Sequence, residues 1–554
     1  MAEMVLPGVY IEVRPEGLIV PGRVTVSNIG MVGTASKGPI GVPVLLGSYT
    51  EARAKFGDYD PWIDGASDEL TLVRALELAY SHGATTVRAV RVAGASQQAA
   101  AYTLASAGGA CVTLTANSAG TWGNGLSVNV AAATENPYIE DEDVPTSGGG
   151  ALTLKRLPVV ASARNRVRHT IDATGITRSV PIVYDATVPA AGQVQINTTT
   201  GALTFPSGEA PAAADTLKVS YVVDKSVAVK VTVRLGRTDE VYTVVDGNDL
   251  VADVNARSVW VTAAAAANVA EKPSNSSPAD AFAPFSGGAN GEAGADYQTG
   301  LEALLNEDVH IIVAAGQDNT FGDELDAHCQ VASTDAVKRD RVAVVGSKLG
   351  ATVDDIRGHT LDSDRVIFVA PGITVTDRAA VPPVDVTLPG AYAAAAVAGL
   401  LAGYLPHISL TNKTVHVGNL EERLTLAELT QLVQARVLAL EERQGFRVVQ
   451  GITTSTNTAW HQITTRRIVD YAKFGVRSAA NPYIGLLNNE RVRGALKSTI
   501  NSFLMEMVSD EMLVSFELDV TATRDDERKG IVQVTMVLRP VFSIDFIKVT
   551  MFLE

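Results

Sequence analysis

Two cysteines, Cys111 and Cys329, are all that this 554-residue chain contains. A single pair makes no disulfide framework, so a reducing compartment is the simplest setting. Basic residues are outnumbered 45 to 61, for a net charge of −16. A surface of that sign repels phosphate, which excludes coating of nucleic acid. Aromatic residues make up only 6% and charged residues 19%, yet 46% are hydrophobic, too much apolar material for a disordered chain. No apolar run reaches the ~20 residues needed to span a bilayer. The longest, AYAAAAVAGLLAGYL at 391–405, is mostly Ala and Gly and predicts a buried helix packed closely through its small side chains. Membrane insertion is therefore not expected. The opening MAEMVLPGVYIEVRPEG has no basic stretch followed by an apolar one, so no secretory signal is expected either.

Catalytic signatures are missing too. There is no GxxxxGK[ST], no GxGxxG behind a strand, no HExxH and no GxSxG. None of the eight histidines lies four residues from another or at metal-ligand spacing from a cysteine, so neither a metal nor a cofactor is expected. His328 and Cys329 are adjacent and point different ways on a helix, a poor nucleophile–base pair. GANGEAG at 288–294 reads as a turn, and the acids from Glu140 to Asp143 lack the spacing of a calcium loop.

What is present is length and alternation. At roughly 150 residues per domain, the chain holds several cores. Val9, Ile11 and Val13 alternate with Tyr10, Glu12 and Arg14, and prolines and glycines flank them, which predicts a short strand on an arm covering 1–23. Residues 24–94 read as an α/β unit, with Ser48 capping a short helix, an amphipathic helix at 67–82 and a strand at 85–92. From about 95 to 280 the chain is rich in Thr, Val, Ala and Gly. Strand candidates at 111–116, 126–132, 151–157, 179–184, 192–197, 216–223, 227–234 and 240–245 predict an all-β region. A glycine run at 148–150 opens an inner block, 146–224, flanked by 95–145 and 225–280. The α/β character returns after 281, where VHIIVAAG, RVAVVG and RVIFVAPG alternate with helices, the pattern of a covered parallel sheet. One discontinuous α/β domain, 24–94 with 281–415, interrupted by the β-rich region, accounts for this order.

The carboxyl block, 416–546, is α+β. Leu426, Leu429, Val433 and Val437 stand at helical spacing, helices are expected at 464–478 and 488–508, and strands at 512–522, 531–539 and 541–553. Residues 451–554 hold 12 basic and 12 acidic residues, so the acidic excess lies entirely upstream. Arg493 and Lys497 share one face of the second helix with Arg491 nearby, a candidate contact for an acidic partner. Near 546 the alternation changes phase: Phe542, Ile544 and Phe546 precede Ile547, Val549, Met551 and Leu553. A bend there would let 547–554 leave its own domain. A strand-forming segment at each end makes two potential donors for β-strand addition to another copy.

These stretches resemble the tail sheath proteins of contractile phage tails and related injection machines. PGVYIEV (7–13), VSNIGMVGTASKGPIGVPVLLGSYTEARAKFG (26–57), TWGNGLSVNV (121–130), GITTSTNTAWHQITTRRIVDY (451–471) and YIGLLNNERVRGALKSTINSFLMEM (483–507) occur in the family's order. PPVDVTLPGAYAAAAVAGLL at 382–401 is similar to the shorter variants, and the single chain differs from the two-chain sheath of type VI secretion. The resemblance implies a structural subunit and no enzyme. It implies stacked hexameric rings around an inner tube, with baseplate and tail terminator proteins at the ends. It further implies assembly in the host bacterial cytoplasm into a virion tail or injection particle. Strand donation would fall on Val9, Tyr10, Ile11 and Val13 at one end and Ile547, Val549, Met551 and Leu553 at the other. Tube contact would fall on Arg491, Arg493 and Lys497, with the β-rich insertion projecting outward. A soluble enzyme on an α/β scaffold, or another tail component such as a tube or baseplate protein, is the alternative.

Overall fold

The apolar runs HIIVA, VAVVG and VIFVA become adjacent parallel strands because each is buried on both faces and can only sit inside a covered sheet. The computed structural model describes residues 27–63, 69–146, 151–185 and 187–552. The chain forms two compact units: Ser96–Gly291, and the segments before and after it.

The second of these is built on an eight-stranded sheet. Its elements are β1 (Ile29–Gly33), β2 (Val44–Leu46), α1 (Tyr49–Phe56), α2 (Thr71–Ser81) and β3 (Val87–Arg91), followed beyond the insertion by α3 (Tyr297–Ala303), β4 (Ile311–Ala314), α4 (Gly322–Ala332), β5 (Val342–Gly346), β6 (Val366–Ala370), α5 (Gly390–Ala402), α6 (Leu426–Gln434), β7 (Leu438–Glu442) and β8 (Phe446–Val448). The strand order is β2-β3-β1-β4-β5-β6-β7-β8, with the six inner strands parallel and the two edges antiparallel. Helices α2 and α5 cover one face, and α3, α4 and α6 the other.

All thirteen residues of α5 are buried. Its small side chains let it approach α2 so closely that a Cβ on Gly399 would lie 2.2 Å from the Ala79 carbonyl oxygen. Ser48 caps α1 by accepting from Glu51 N.

The sheet takes its last two strands from 438–448, so the α/β unit runs past residue 416, where the sequence pattern opens the carboxyl block. Val437 is not on a helix. Helix α6 stops at Gln434, Arg436 turns the chain at φ +67°, and Leu438, Ala439 and Leu440 are fully buried as a strand. Helical spacing misleads here because a short apolar strand behind a helix continues its pattern by chance.

Within the inserted unit, one core lies between the sheet of 126–132, 229–235, 238–244 and 283–284 and that of 101–106, 109–116 and 261–265. A second core lies under 138–144, 166–171, 176–180 and 216–223. The strand expected at 151–157 does not form, apart from a bridge from Thr153 to Ala202. The amides of Lys155 and Arg156 donate instead to Glu142 Oε1 (2.8 Å) and the Tyr221 hydroxyl (3.1 Å). Arg156 itself reaches Glu142, Asp246 and Asp249 at 3.1, 3.2 and 2.5 Å, tying the second core to the helix Gly247–Arg257 under the first. That helix is absent from the strand pattern, although Asp246 caps it and Leu250 and Val254 mark its buried face. The glycine run at 148–150 lies outside the described residues.

The carboxyl region pairs α7 (Ile463–Ala480) with α8 (Glu490–Ser509) beneath an antiparallel hairpin, β9 (Leu513–Thr521) and β10 (Gln533–Pro540). Ile500, Phe503, Leu504 and Met507 of α8 form its core with Ile468 and Ala472 of α7, roofed by Phe516, Leu518, Val534 and Met536. The third strand expected at 541–553 is not formed over the described 541–552, where one backbone bond, from Val541 N to the Met512 carbonyl, continues the hairpin and no ladder follows.

Candidate assembly surfaces

Hairpin β9–β10 is a sheet of two strands only, so both of its outer edges carry unpaired backbone groups among the described strands. Past Asp545, every described residue of the chain is uncovered. Phe546, Ile547, Met551 and Phe552 are all more than 80% exposed, and Val549 is 72% exposed. Isolated apolar side chains on a surface are ordinary, but a consecutive strand-forming run is not. Ile547, Val549 and Met551 therefore stand together on one free segment. Leu553 lies outside the described residues, as do Val9, Tyr10, Ile11 and Val13.

The basic candidates sit on α8. Arg491 is exposed. Arg493 is half-buried and donates through Nη1 to Asn488 Oδ1 (2.9 Å) and Glu527 Oε1 (3.0 Å). Lys497 donates to Asp519 Oδ1 (3.2 Å) with about half of its side chain exposed. Both cations thus tie α8 to the hairpin region. Beside them is a feature the charge pattern misses. Ile484, Leu486 and Leu487 in the α7–α8 loop are 79%, 53% and 74% exposed, and with Arg493 they line a hollow of about 320 Å³. The signal was in the sequence: IGLL between two helices, next to the Asn489 cap.

Buried ion pairs join the carboxyl region to the sheet, beside apolar contacts made by Ile463 in the sheet's core and by Phe474 against the His310 ring. Just before β6, Arg365 donates to both carboxylate oxygens of Asp470 on α7 at 2.9 and 3.2 Å, and reaches Asp340 at 3.4 Å. Arg466 donates to Asp470 (2.7 Å) and Asp364 (2.8 Å). Arg477 donates to Asp340 at 2.5 Å, and Lys473 bonds the same carboxylate. Burial works against charge on Asp340, but the bonds from Lys473 and Arg477 hold its carboxyl below the usual range. The spacing 466, 470, 473, 477 puts all four residues on one stripe of α7.

The sheet changes winding direction between β1 and β4, the place where open α/β sheets bind ligands. A crevice of about 460 Å³ lies there, lined by Thr34, Glu69, Thr71, Asp296, Tyr297 and Gln317 among others. Burial pushes Glu69 up to about 7, against a hydrogen bond from the Tyr392 hydroxyl and the charge of Arg74. The Tyr297 hydroxyl donates to the Ala315 carbonyl (2.9 Å) and contacts the Thr71 hydroxyl (3.0 Å). These groups bond one another and form no nucleophile–base pair. Burial raises Cys329 to about 12, so it stays a thiol. Among the described residues, no three His, Cys, Asp or Glu side chains are placed to hold a metal ion, and no helix is long and apolar enough to cross a membrane.

Comparison with known proteins bears on these surfaces. Residues 290–454 match the phage tail sheath protein central domain, and residues 455–554 the phage tail sheath C-terminal domain. The sheath tail protein of Desulfitobacterium hafniense superposes with a TM-score of 0.59 at 16% identity, covering 96% of this chain and 100% of that one. The sheath tail protein Lin1278 of Listeria innocua gives 0.58 at 14% identity, covering 95% of each chain. The helical sheath of the anti-feeding prophage in its contracted state gives 0.50 at 13% identity over the whole of both chains. At these identities the superpositions speak for the fold. No curated protein matches the chain in sequence.

Proposed function

We propose that this chain is a phage tail sheath protein and the repeating subunit of a contractile sheath, stacked as hexameric rings around an inner tube. The observation that carries the proposal is the pairing of an uncovered apolar tail with an open two-stranded sheet on the same chain. A donor and an acceptor on one molecule make a heterologous contact, and such a contact repeats into a helical filament. Ile547, Val549, Met551 and Leu553 are the donor strand, and an edge of β9–β10 in a neighbouring copy is the acceptor. Val9, Tyr10, Ile11 and Val13 form the second donor, at the other end of the chain.

The carboxyl region faces the tube through a mixed surface, with Ile484, Leu486 and Leu487 beside Arg491, Arg493 and Lys497. The charge split supports that orientation. A neutral carboxyl block can approach a tube, while the acidic remainder keeps the particle soluble. Contraction is a switch between two packings of domains, with the arms keeping copies linked. The chain carries no nucleotide-binding motif, so the work comes from an extended assembly that stores free energy. Baseplate and terminator proteins close the ends of the stack, and the finished sheath belongs to a virion tail or injection particle.

The test is truncation. Removing 547–554 or 1–14 should leave folded subunits that fail to form linked sheaths, as seen by negative-stain microscopy and sedimentation. Normal assembly and contraction of either truncation would overturn strand donation.

A further inference from the structure

Between the hairpin and the free tail, five residues show an inverted pattern. In Val541–Asp545 the side chains alternate, but Val541, Ser543 and Asp545 turn inward while Phe542 and Ile544 are 62% and 79% exposed. A strand on its own domain normally does the reverse. What holds this segment down is Asp545. Its Oδ1 accepts from the Thr411 hydroxyl (3.1 Å) and the Ser543 hydroxyl (3.2 Å), and its Oδ2 accepts from Gln450 Nε2 (3.1 Å) and Gln462 Nε2 (2.9 Å). Thr411, Gln450 and Gln462 come from three separate segments: after α5, after β8 and at the start of α7. The socket is itself braced, because Thr411 Oγ1 accepts from Gly451 N (3.1 Å) and from the Ser409 hydroxyl (3.0 Å). Val541 N is held by the Met512 carbonyl (3.1 Å). Past Asp545, every described residue is exposed.

We propose that Asp545 is a positioning residue, a clip that fixes the root of the donated carboxyl arm on the subunit's own α/β unit. This rests on the strand-donation reading and adds where the arm starts. A carboxylate taken up by neutral donors from three segments is a directional contact, stronger than a neutral pair. With the clip shut, the free arm is 546–554, about 30 Å at full stretch; with it open, 541–554 would reach about 46 Å. A fixed root therefore sets which neighbour is in range. It also sets register, because a slip of one residue would turn Ile547, Val549 and Met551 to the wrong face of the acceptor sheet. The phase change in the sequence at 546–547 falls where the clip ends.

The test uses the full chain with Asp545→Ala and Asp545→Asn, beside a chain ending at 546. Chymotrypsin requires a mobile stretch on both sides of its cut. In the unassembled wild type it should cut after Phe552 and spare Phe542. Asp545→Ala should expose Phe542 to cleavage at least about tenfold faster, and its critical concentration for sheath assembly should rise about tenfold, with hairpin and core melting unchanged. Asp545→Asn, which keeps an acceptor for Thr411, should fall between the two. Wild-type cleavage and assembly by Asp545→Ala would overturn the clip. The chain ending at 546 separates the two ideas: if it assembles normally, donation fails, whereas the cleavage pattern of the unassembled variants judges the clip alone.

Discussion

Replacing Asp470 by alanine should loosen the carboxyl region from the sheet, and the size of the effect follows from what the substitution strands. Arg365 has 5% of its side chain exposed and Asp470 10%. Asp470→Ala removes three donated hydrogen bonds, two from Arg365 and one from Arg466. It leaves two buried guanidinium groups short of a counter-charge. Breaking a buried pair this way typically costs 3–5 kcal/mol. Here Arg365 keeps the Arg341 carbonyl (2.9 Å) and Asp340, and Arg466 keeps Asp364, so the lower end, about 3 kcal/mol, is the expected cost. That is roughly two powers of ten in the equilibrium between docked and undocked α7. The assay is urea unfolding of the unassembled subunit together with amide exchange along α7. The exposed pair Lys497–Asp519 serves as a control, and Lys497→Ala there should cost about 1 kcal/mol or less. If the cost arises from a stranded charge, removing both charges should restore stability, so Arg365→Met with Asp470→Leu should lie within about 1 kcal/mol of wild type. A double variant as unstable as Asp470→Ala alone would refute the reasoning.

Acid should weaken the α/β unit through His328. Burial, and then the charge of Arg341, depress His328 to about 4. The unfolded chain takes up its proton first as the pH falls. Stability is therefore full above about 6.5 and declines towards 4 by roughly 1.4 kcal/mol per unit. His328→Gln should flatten that slope by about one proton in urea titrations at pH 7 and 4.5, and an unchanged slope would remove His328 from the account. Gly399→Ala should cost at least about 2 kcal/mol by thermal melting, because its Cβ meets the Ala79 carbonyl oxygen of α2 at 2.2 Å. Lys497→Glu should weaken co-assembly with the tube about tenfold while costing the subunit only about 1 kcal/mol of stability, since its side chain is half exposed. Equal co-assembly would take the α8 face out of the tube contact.

The open sheet edge and the free tail also bear on how the subunit stays soluble before assembly. Uncovered strands invite random pairing. Asp545 and the inward-facing Ser543 keep part of the tail occupied, and the net charge of −16 opposes close approach of free copies.

Much of the layout was legible in the chain itself. The runs HIIVA, VAVVG and VIFVA announced a covered parallel sheet because continuous apolar strands have no exposed face to offer water. The small residues of 391–405 announced a tightly packed buried helix. The change of phase at 546–547 marked where the tail leaves the body, since alternation follows directly from strand geometry. Val437 and the 151–157 segment were misleading. One continues a helical pattern into a strand, and the other gives its amides to side chains that approach from elsewhere in the fold.

Partnerships between distant side chains were decided only in three dimensions. Periodicity put Arg493 and Lys497 on one face of α8, but not beside Glu527 and Asp519. Nothing in the spacing of Asp340, Arg365 and Asp470 announces that they meet, and Asp545 finds Thr411, Gln450 and Gln462 at sequence separations of up to 134. Sequence alone determined the inner strands of the covered sheet and the buried small-residue helix, because their patterns depend on neighbours along the chain. The tertiary structure decided which charges are paired and where the arm is rooted, because those depend on neighbours in space.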